Sequence, residues 1–353
     1  MRIATVSARA FDVPLSRPYA IANGHWDAVE LAFVIVRGDD GQQGHGMAAP
    51  AVEVTGETRD AALAELRRAS WLVGRDLDDA AVVVDLEQRV AGPGARAAID
   101  MALCDLGASR RALPLVEHFG RVHAHLATSI TIGCKPVAET LLEANEYVAR
   151  GFTALKVKIG ESIDLDLERL TRLRERFGAR VQLRADANQG YDERAMLRLA
   201  ARANDLDLEM IEQPMPRGQE SFLRTLPRHV QLMLCADESV HDERALDELV
   251  AAGCPFGVVN IKLQKCGGPR AALRLARACE RHGLAIMWGC NDESALGIAA
   301  ALHTAFACNA TRFLDLDGSL DLAADPYEGG FAIREGRMST LSRPGLGALP
   351  VPS

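Results

Sequence analysis

A chain of 353 residues, 48% hydrophobic and 25% charged, has room for one large domain plus a smaller one and the make-up of an ordinary globular protein. Its formal net charge of −8, with no basic run, argues against a nucleic-acid or anionic-membrane partner. No signal-peptide core and no membrane-length apolar run is found, and eight scattered cysteines without a C-x-x-C pair fit reduced thiols in a cytoplasmic setting.

The first part reads as α+β. "IATVSARAFDVPL" and "ELAFVIVRGDDGQQGHGM" have strand texture, and "GDDG" is a hairpin turn signal inside the second. Two helical segments follow, "TRDAALAELRRASWLV" and "ARAAIDMALCDLGASRRA", with apolar residues at three-to-four spacing; Pro114 helps end the second.

From about residue 124 short apolar runs alternate with amphipathic helical stretches. The runs are "HLATSITIG", "TALKVKIG", "VQLRADANQG", "LEMIEQP", "LMLCADESV", "GVVNIKLQKCGG", "LAIMWGC" and "TRFLDLDG". Eight strands alternating with helices imply a parallel sheet with helical crossovers, and eight is the number that closes a barrel. An open doubly wound sheet is the alternative, but its G-x-G-x-x-G phosphate signature is missing. The Gly- and Pro-containing tail has no helix pattern and is expected to pack back on the N-terminal part.

Charged residues fall at the strand ends in phase. Lys158, Asp186, Glu212, Asp237 and Lys262 follow one another at intervals of 28, 26, 25 and 25 residues, one per βα repeat, and Asp315 and Asp317 lie on the eighth strand. In a barrel of this kind the C-terminal strand ends build the active site. Asp186, Glu212 and Asp237 would converge there, and three carboxylates together repel unless a proton or a cation bridges them. Oxygen donors alone predict a hard divalent ion, Mg²⁺ first. Taken singly, each of these acids could instead cap a helix or pair with a surface arginine.

Lys156 and Lys158 alternate on one strand and so point to one place. With Lys262 across the mouth, they surround a site that is anionic and cationic at once, suited to a carboxylate substrate. Removing the proton beside a carboxylate gives an enediolate, whose extra negative charge a divalent ion and ammonium groups can stabilise. A lysine base must be partly neutral, which asks for a shift of about 3 units, on the order of 4 kcal/mol; a neighbouring lysine and the metal would supply it. Lys158 and Lys262 acting from opposite faces would invert the carbon, with Lys156 tuning Lys158.

The ordered set K-x-K (Lys156, Lys158), "DAN" (Asp186, Asn188), "IEQP" (Glu212), "ADES" (Asp237) and "NIKLQKCGG" (Lys262) resembles the muconate-lactonizing subgroup of the enolase superfamily, and specifically its dipeptide epimerases. The resemblance covers essentially the whole chain. It implies a (β/α)7β modified TIM barrel at 123–322, an α+β capping domain at 1–122 completed by the tail 323–353, and Mg²⁺. In the similar epimerases the D-x-D of the last strand, here Asp315 and Asp317, binds the α-ammonium of a dipeptide whose C-terminal residue is inverted. Thr131, Asn291, Asp292 and Trp26 are expected to touch substrate, with Asn188, Asn260 and Lys265 in support. The related loop at 20–28 carries an arginine for acidic dipeptides, and this chain has Gly24 there; Met47 replaces a frequent Glu. Hydrophobic or cationic dipeptides are therefore expected. Trp26 and Trp288 are candidates for an apolar pocket, and Asp292 and Glu53 for recruiting a basic side chain. The alternatives are an o-succinylbenzoate synthase or muconate cycloisomerase type of lyase, an N-acylamino acid racemase and, more remotely, a non-catalytic small-molecule binder. The resemblance leaves homo-oligomerisation open.

Overall fold

The computed structural model describes residues 1–21 and 24–352, and the side chains of residues 17–26, Trp26 among them, lie outside what is described. Three antiparallel strands begin the chain: β1 (Ile3–Ile21), β2 (Gly24–Gly38) and β3 (Gln43–Ala48), paired in that order. β3 leads into the single turn α1 (Val52–Thr55), and behind the sheet lie α2 (Arg59–Arg68), α3 (Ala81–Arg89) and α4 (Pro93–Arg110). Thr58 caps α2, its side chain accepting from Ala61 N, and Pro93 opens α4 at a position that needs no backbone donor. α4 is buried along most of its length and packs on β3 at Gly44 and Gly46. A Cβ at Gly46 would stand 1.9 Å from the carbonyl oxygen of Ala98, so only glycine permits this approach.

Eight parallel strands follow: β4 (Ser129–Ile132), β5 (Ala154–Lys158), β6 (Gln182–Asp186), β7 (Leu208–Glu212), β8 (Leu234–Ala236), β9 (Val258–Ile261), β10 (Ala285–Gly289) and β11 (Thr311–Asp315). They hydrogen-bond in sequence order, and a parallel bridge between Thr128 and Leu314 brings the last strand back to the first. Helices α5 (Val137–Ala149), α6 (Ile163–Phe177), α7 (Glu193–Ala203), α8 (Glu243–Ala251), α9 (Pro269–Arg281) and α10 (Ala295–Ala305) form the outer ring; between β7 and β8 two short turns, Glu220–Leu223 and Arg228–Gln231, take a helix's place. The closed sheet with seven crossovers is the eight-stranded barrel the strand count predicts, in the (β/α)7β form the resemblance implies. Asp192 and Asp242 cap α7 and α8 by accepting from Ala195 N and Ala245 N, each at 2.8 Å.

Met210, Cys235, Val258, Met287 and Phe313 fill the barrel interior. The opposite faces of the same strands join a far larger core under the helices. The tail serves both parts: Arg337–Thr340 pairs with Leu126–Ala127 beside the barrel, while Leu346 N donates to Asp105 on α4 and Ala323 N to Pro14 O on β1. No described helix is long and apolar enough to cross a membrane.

Candidate active site

Strand alternation decides which side chains reach the barrel axis. Lys156 and Lys158 leave β5 inward, between Leu155 and Val157 that face the helices. Lys158 pairs in register with Asp186 on β6, and Asp186 with Glu212 on β7; Glu212 stands opposite Cys235, which places Asp237 two residues further on, just past β8. Lys262 follows β9 directly. The expected charged set therefore gathers at the C-terminal end of the barrel.

Each carboxylate there meets ammonium or amide donors. Lys158 Nζ lies 2.7 Å from both Asp186 Oδ2 and Asn188 Oδ1. Lys156 Nζ, 5% exposed as a residue, contacts Asp315 Oδ2 and lies 3.4 Å from Asp186 Oδ2 and 3.5 Å from Glu212 Oε2. Lys262 Nζ is 3.0 Å from Asp237 Oδ2. Lys265 contacts the other oxygen of Asp237 and donates to the backbone carbonyls of Asp237, Asn260 and Val240. Asn260 Nδ2 donates to Glu212 Oε1 at 2.6 Å. Asn260 and Lys265 thus brace the carboxylates with their side chains, and Asn188 does so through its backbone N–H, which donates to Asp186 Oδ1 at 3.0 Å.

Burial alone would lower Lys156, but Asp315, then Glu212 and Asp186, reverse this and hold it well above the usual lysine range. Burial likewise opposes the charge on Lys262, and Asp237 followed by Glu212 raises it. Burial favours protonated Asp237, but Lys262 and Lys265 hold it well below the carboxylate range. Glu212 behaves differently: burial, then the charge of Asp186, push it up to about 8.

Among the described residues, no three Asp, Glu, His or Cys side chains already stand as a metal cluster; the acids are paired with Lys156, Lys158 and Lys262. The donor chemistry fits a hard cation nonetheless. Asp186, Glu212 and Asp237 offer oxygen only, are at most 2% exposed, and stand on three successive strand ends. Those three would hold the ion.

A cavity of about 620 Å³ opens over this centre. Lys156, Lys158, Lys262, Asp315 and Asp317 form its floor; Glu53, Asp292 and Asn291 belong to its upper wall. The two aspartates of the last strand differ. Asp315 is spent on Lys156 and on the Ser129 hydroxyl, 2.6 Å away, whereas Asp317 accepts from Thr131 N at 2.7 Å and is pushed up to about 6, by burial first and by Asp315 second. Thr131 lines the cavity, and the amide of Asn291 donates to Ala49 O. Trp288 does not reach the cavity. It sits one step out of phase with Met287 on β10, turns toward the helices and donates to Thr311 Oγ1 at 2.8 Å.

Three contributors escaped sequence reading. Arg184, one strand layer below Asp186, is 2% exposed and ties Glu209, Ser129 and Leu314 O together. Its inward phase on "VQLRAD" was a visible signal. Gln213 accepts from Asp237 N and Ser239 N, fixing the loop that carries Asp237, and Ser129 orients Asp315. Gln213 stands inside "IEQP", with no role read for it there, and nothing local marks Ser129.

Residues 139–351 match the Enolase C-terminal domain-like family, and residues 3–120 the Mandelate racemase / muconate lactonizing enzyme, N-terminal domain. The chain belongs to the enolase superfamily. An L-Lys-D/L-Arg epimerase of Methylococcus capsulatus is 48% identical over 98% of this chain and 99% of its own length. An L-Lys-D/L-Arg epimerase of Desulforapulum autotrophicum is 43% identical over the same shares. The crystal structure of a dipeptide epimerase from Methylococcus capsulatus, complexed with Mg and the dipeptide L-Arg-D-Lys, has a TM-score of 0.96 at 47% identity and covers 99% of this chain and 100% of that one.

Proposed function

We propose that this chain is a Mg²⁺-dependent dipeptide epimerase that inverts the α-carbon of the C-terminal residue and takes dipeptides with cationic side chains. The observation that carries the reading is the placement of Lys158 and Lys262 on the second and sixth of eight barrel strands, facing one mouth with Asp186, Glu212 and Asp237 on the strands and loops between them. Two bases on opposite sides of one carbon are what inversion requires and what a one-sided lyase does not need.

Lys158 takes the α-proton from one face, and Lys262 returns one to the other; for the opposite enantiomer the roles reverse. Asp186 and Asp237 neighbour the two bases and fix where each ammonium stands, and, against burial, Asp237 also favours the charged form of Lys262. A divalent ion held by Asp186, Glu212 and Asp237 would offset that carboxylate charge and take up the charge developing on the substrate carboxylate. Lys156, pinned by Asp315 and Glu212, remains a fixed positive charge on the floor. Asp317, on the cavity floor beside Thr131, receives the substrate α-ammonium, with Asp315 reinforcing its negative field.

The preference for cations rests on the acids of the cavity's upper wall, Asp27, Glu53, Asp292 and Asp321, Glu30 there being matched by Arg59, and on two relatives above 40% identity that epimerise Lys- and Arg-containing dipeptides. Of the hydrophobic and cationic options open from sequence, this favours the second. Eight free thiols fit a reducing, cytoplasmic location.

The deciding experiment incubates the protein with Mg²⁺ and a pooled L,L-dipeptide library in D₂O, followed by mass spectrometry. A one-deuteron gain concentrated on Lys- and Arg-containing members supports the reading. Gain on neutral members alone removes the cation preference, and no gain on any member removes the epimerase.

A further inference from the structure

The segment Ala49–Gly56 leaves β3, carries Glu53 on the single turn α1, and forms one lip of the cavity. Its first residue is clamped from the barrel on both polar groups. Ala49 N donates to Gln264 Oε1 at 3.1 Å, and Ala49 O accepts from Asn291 Nδ2 at 3.0 Å. Gln264, two residues past Lys262 and fully buried, gives its amide hydrogens to Glu293 Oε2 at 3.1 Å and Met47 O at 3.4 Å. Glu293, 2% exposed, accepts from Asn291 N with its other oxygen at 3.0 Å. At the far end Glu57 accepts from Gly94 N at 2.6 Å, fixing the segment to the first turn of α4.

We infer that Gln264 and Glu293 are positioning residues: a buried amide–carboxylate latch that sets where the Ala49–Gly56 lip, and with it Glu53, stands over the barrel mouth. The latch joins three pieces of chain far apart in sequence: the loop that follows Lys262, the loop that carries Asp292, and the capping lip. A buried network of this kind holds one arrangement because each alternative leaves a donor or acceptor unpaired. Its polarity is directional. Ala49 N and Asn291 N both donate inward, so the two side chains between them must present one carboxylate and one amide. That Glu53 faces a cationic substrate side chain rests on the function proposed above; the latch itself does not.

The directionality gives a test by exchange of roles. In E293Q the amide of residue 293 must face either the Gln264 amide or Asn291 N, donor against donor. In the double variant Q264E/E293Q every one of those hydrogen bonds can re-form with carboxylate and amide swapped, apart from the weak one to Met47 O. Hydrogen exchange read by mass spectrometry should show peptides covering residues 48–57 exchanging about tenfold faster in Q264L and in E293Q, with barrel peptides unchanged, and recovering in the swap. With Mg²⁺ and a Lys-containing dipeptide, KM should rise about tenfold in Q264L while kcat stays within about threefold, and the swap should restore KM. Unaltered protection at 48–57 in the single variants, or a swap no better than either, would overturn the latch. Should the wild-type protein turn over no cationic dipeptide, the function proposal falls, and the exchange data still decide the latch.

Discussion

Lys158 Nζ lies 2.7 Å from Asp186 Oδ2, across a registered pair that joins the second and third barrel strands. A base and an expected metal carboxylate are thus adjacent by strand register alone. Burial favours a protonated Asp186 carboxyl, but Lys158, then Lys156, hold it below its usual range. Lys262 and Asp237 repeat the relationship across the mouth.

Lys158→Ala and Lys262→Ala should each lower epimerisation by about 10³-fold, within the range of a lost general base. Each should still exchange the α-proton of one enantiomer through the base that remains. Following deuterium incorporation into separate L,L and L,D dipeptides by NMR checks this. Full epimerisation by both single variants would exclude a two-base mechanism.

Chelation should abolish turnover, and added Mg²⁺ should restore it. Mg²⁺ should also raise Tm by mass action, with about 2.7 kcal/mol of added stability at a hundred times its Kd. Glu212→Gln keeps the shape of this buried side chain but removes a carboxylate oxygen that would hold the ion, so calorimetric titration should show Mg²⁺ binding weakened by about tenfold or more. Unchanged affinity would remove Glu212 from the ligand set.

Glu53→Gln and Asp292→Asn neutralise acids at the cavity wall. Each should raise KM for Lys- or Arg-containing dipeptides by about tenfold, equivalent to ~1.4 kcal/mol, and the effect should shrink as salt is added. Neutral dipeptides should respond by about twofold or less. Equal losses for charged and neutral substrates would mean these acids shape the cavity rather than read charge.

His303, buried on α10, accepts from Val116 N at 3.0 Å, and burial pushes it down to about 4 from an ordinary 6.5. Because the unfolded chain binds this proton more readily, the contribution is fully present above 6.5 and is lost as pH falls toward 4. Denaturant midpoints should report about 2 kcal/mol less stability from this group near pH 5 than near pH 7.5. His303→Gln should remove that part of the pH dependence, whatever it does to stability at neutral pH.

The strands and their charged ends were legible because the signals are local. A period of two puts Lys156 and Lys158 on one side, and a repeat of about 25 residues puts Asp186, Glu212 and Asp237 at equivalent places in successive βα units. α3 was not legible: its "AVVVDLEQR" is rich in β-branched residues of modest helix propensity, and the burial of Val82 and Leu86 against the capping core holds it helical.

The sequence by itself determined the eight-strand plan, the inward charged set and the kinship with a superfamily, all carried by spacing along the chain. Tertiary structure decided the partners. Lys156 meets Asp315, 159 residues away, only because the last strand returns beside the first. Trp288 turned outward because Met287 took the interior phase of β10, and Asn291 went to Ala49 because the capping lip lies over its loop. Such contacts join residues far apart along the chain, and no local propensity encodes them; closure of the barrel and docking of the cap bring them within hydrogen-bonding reach.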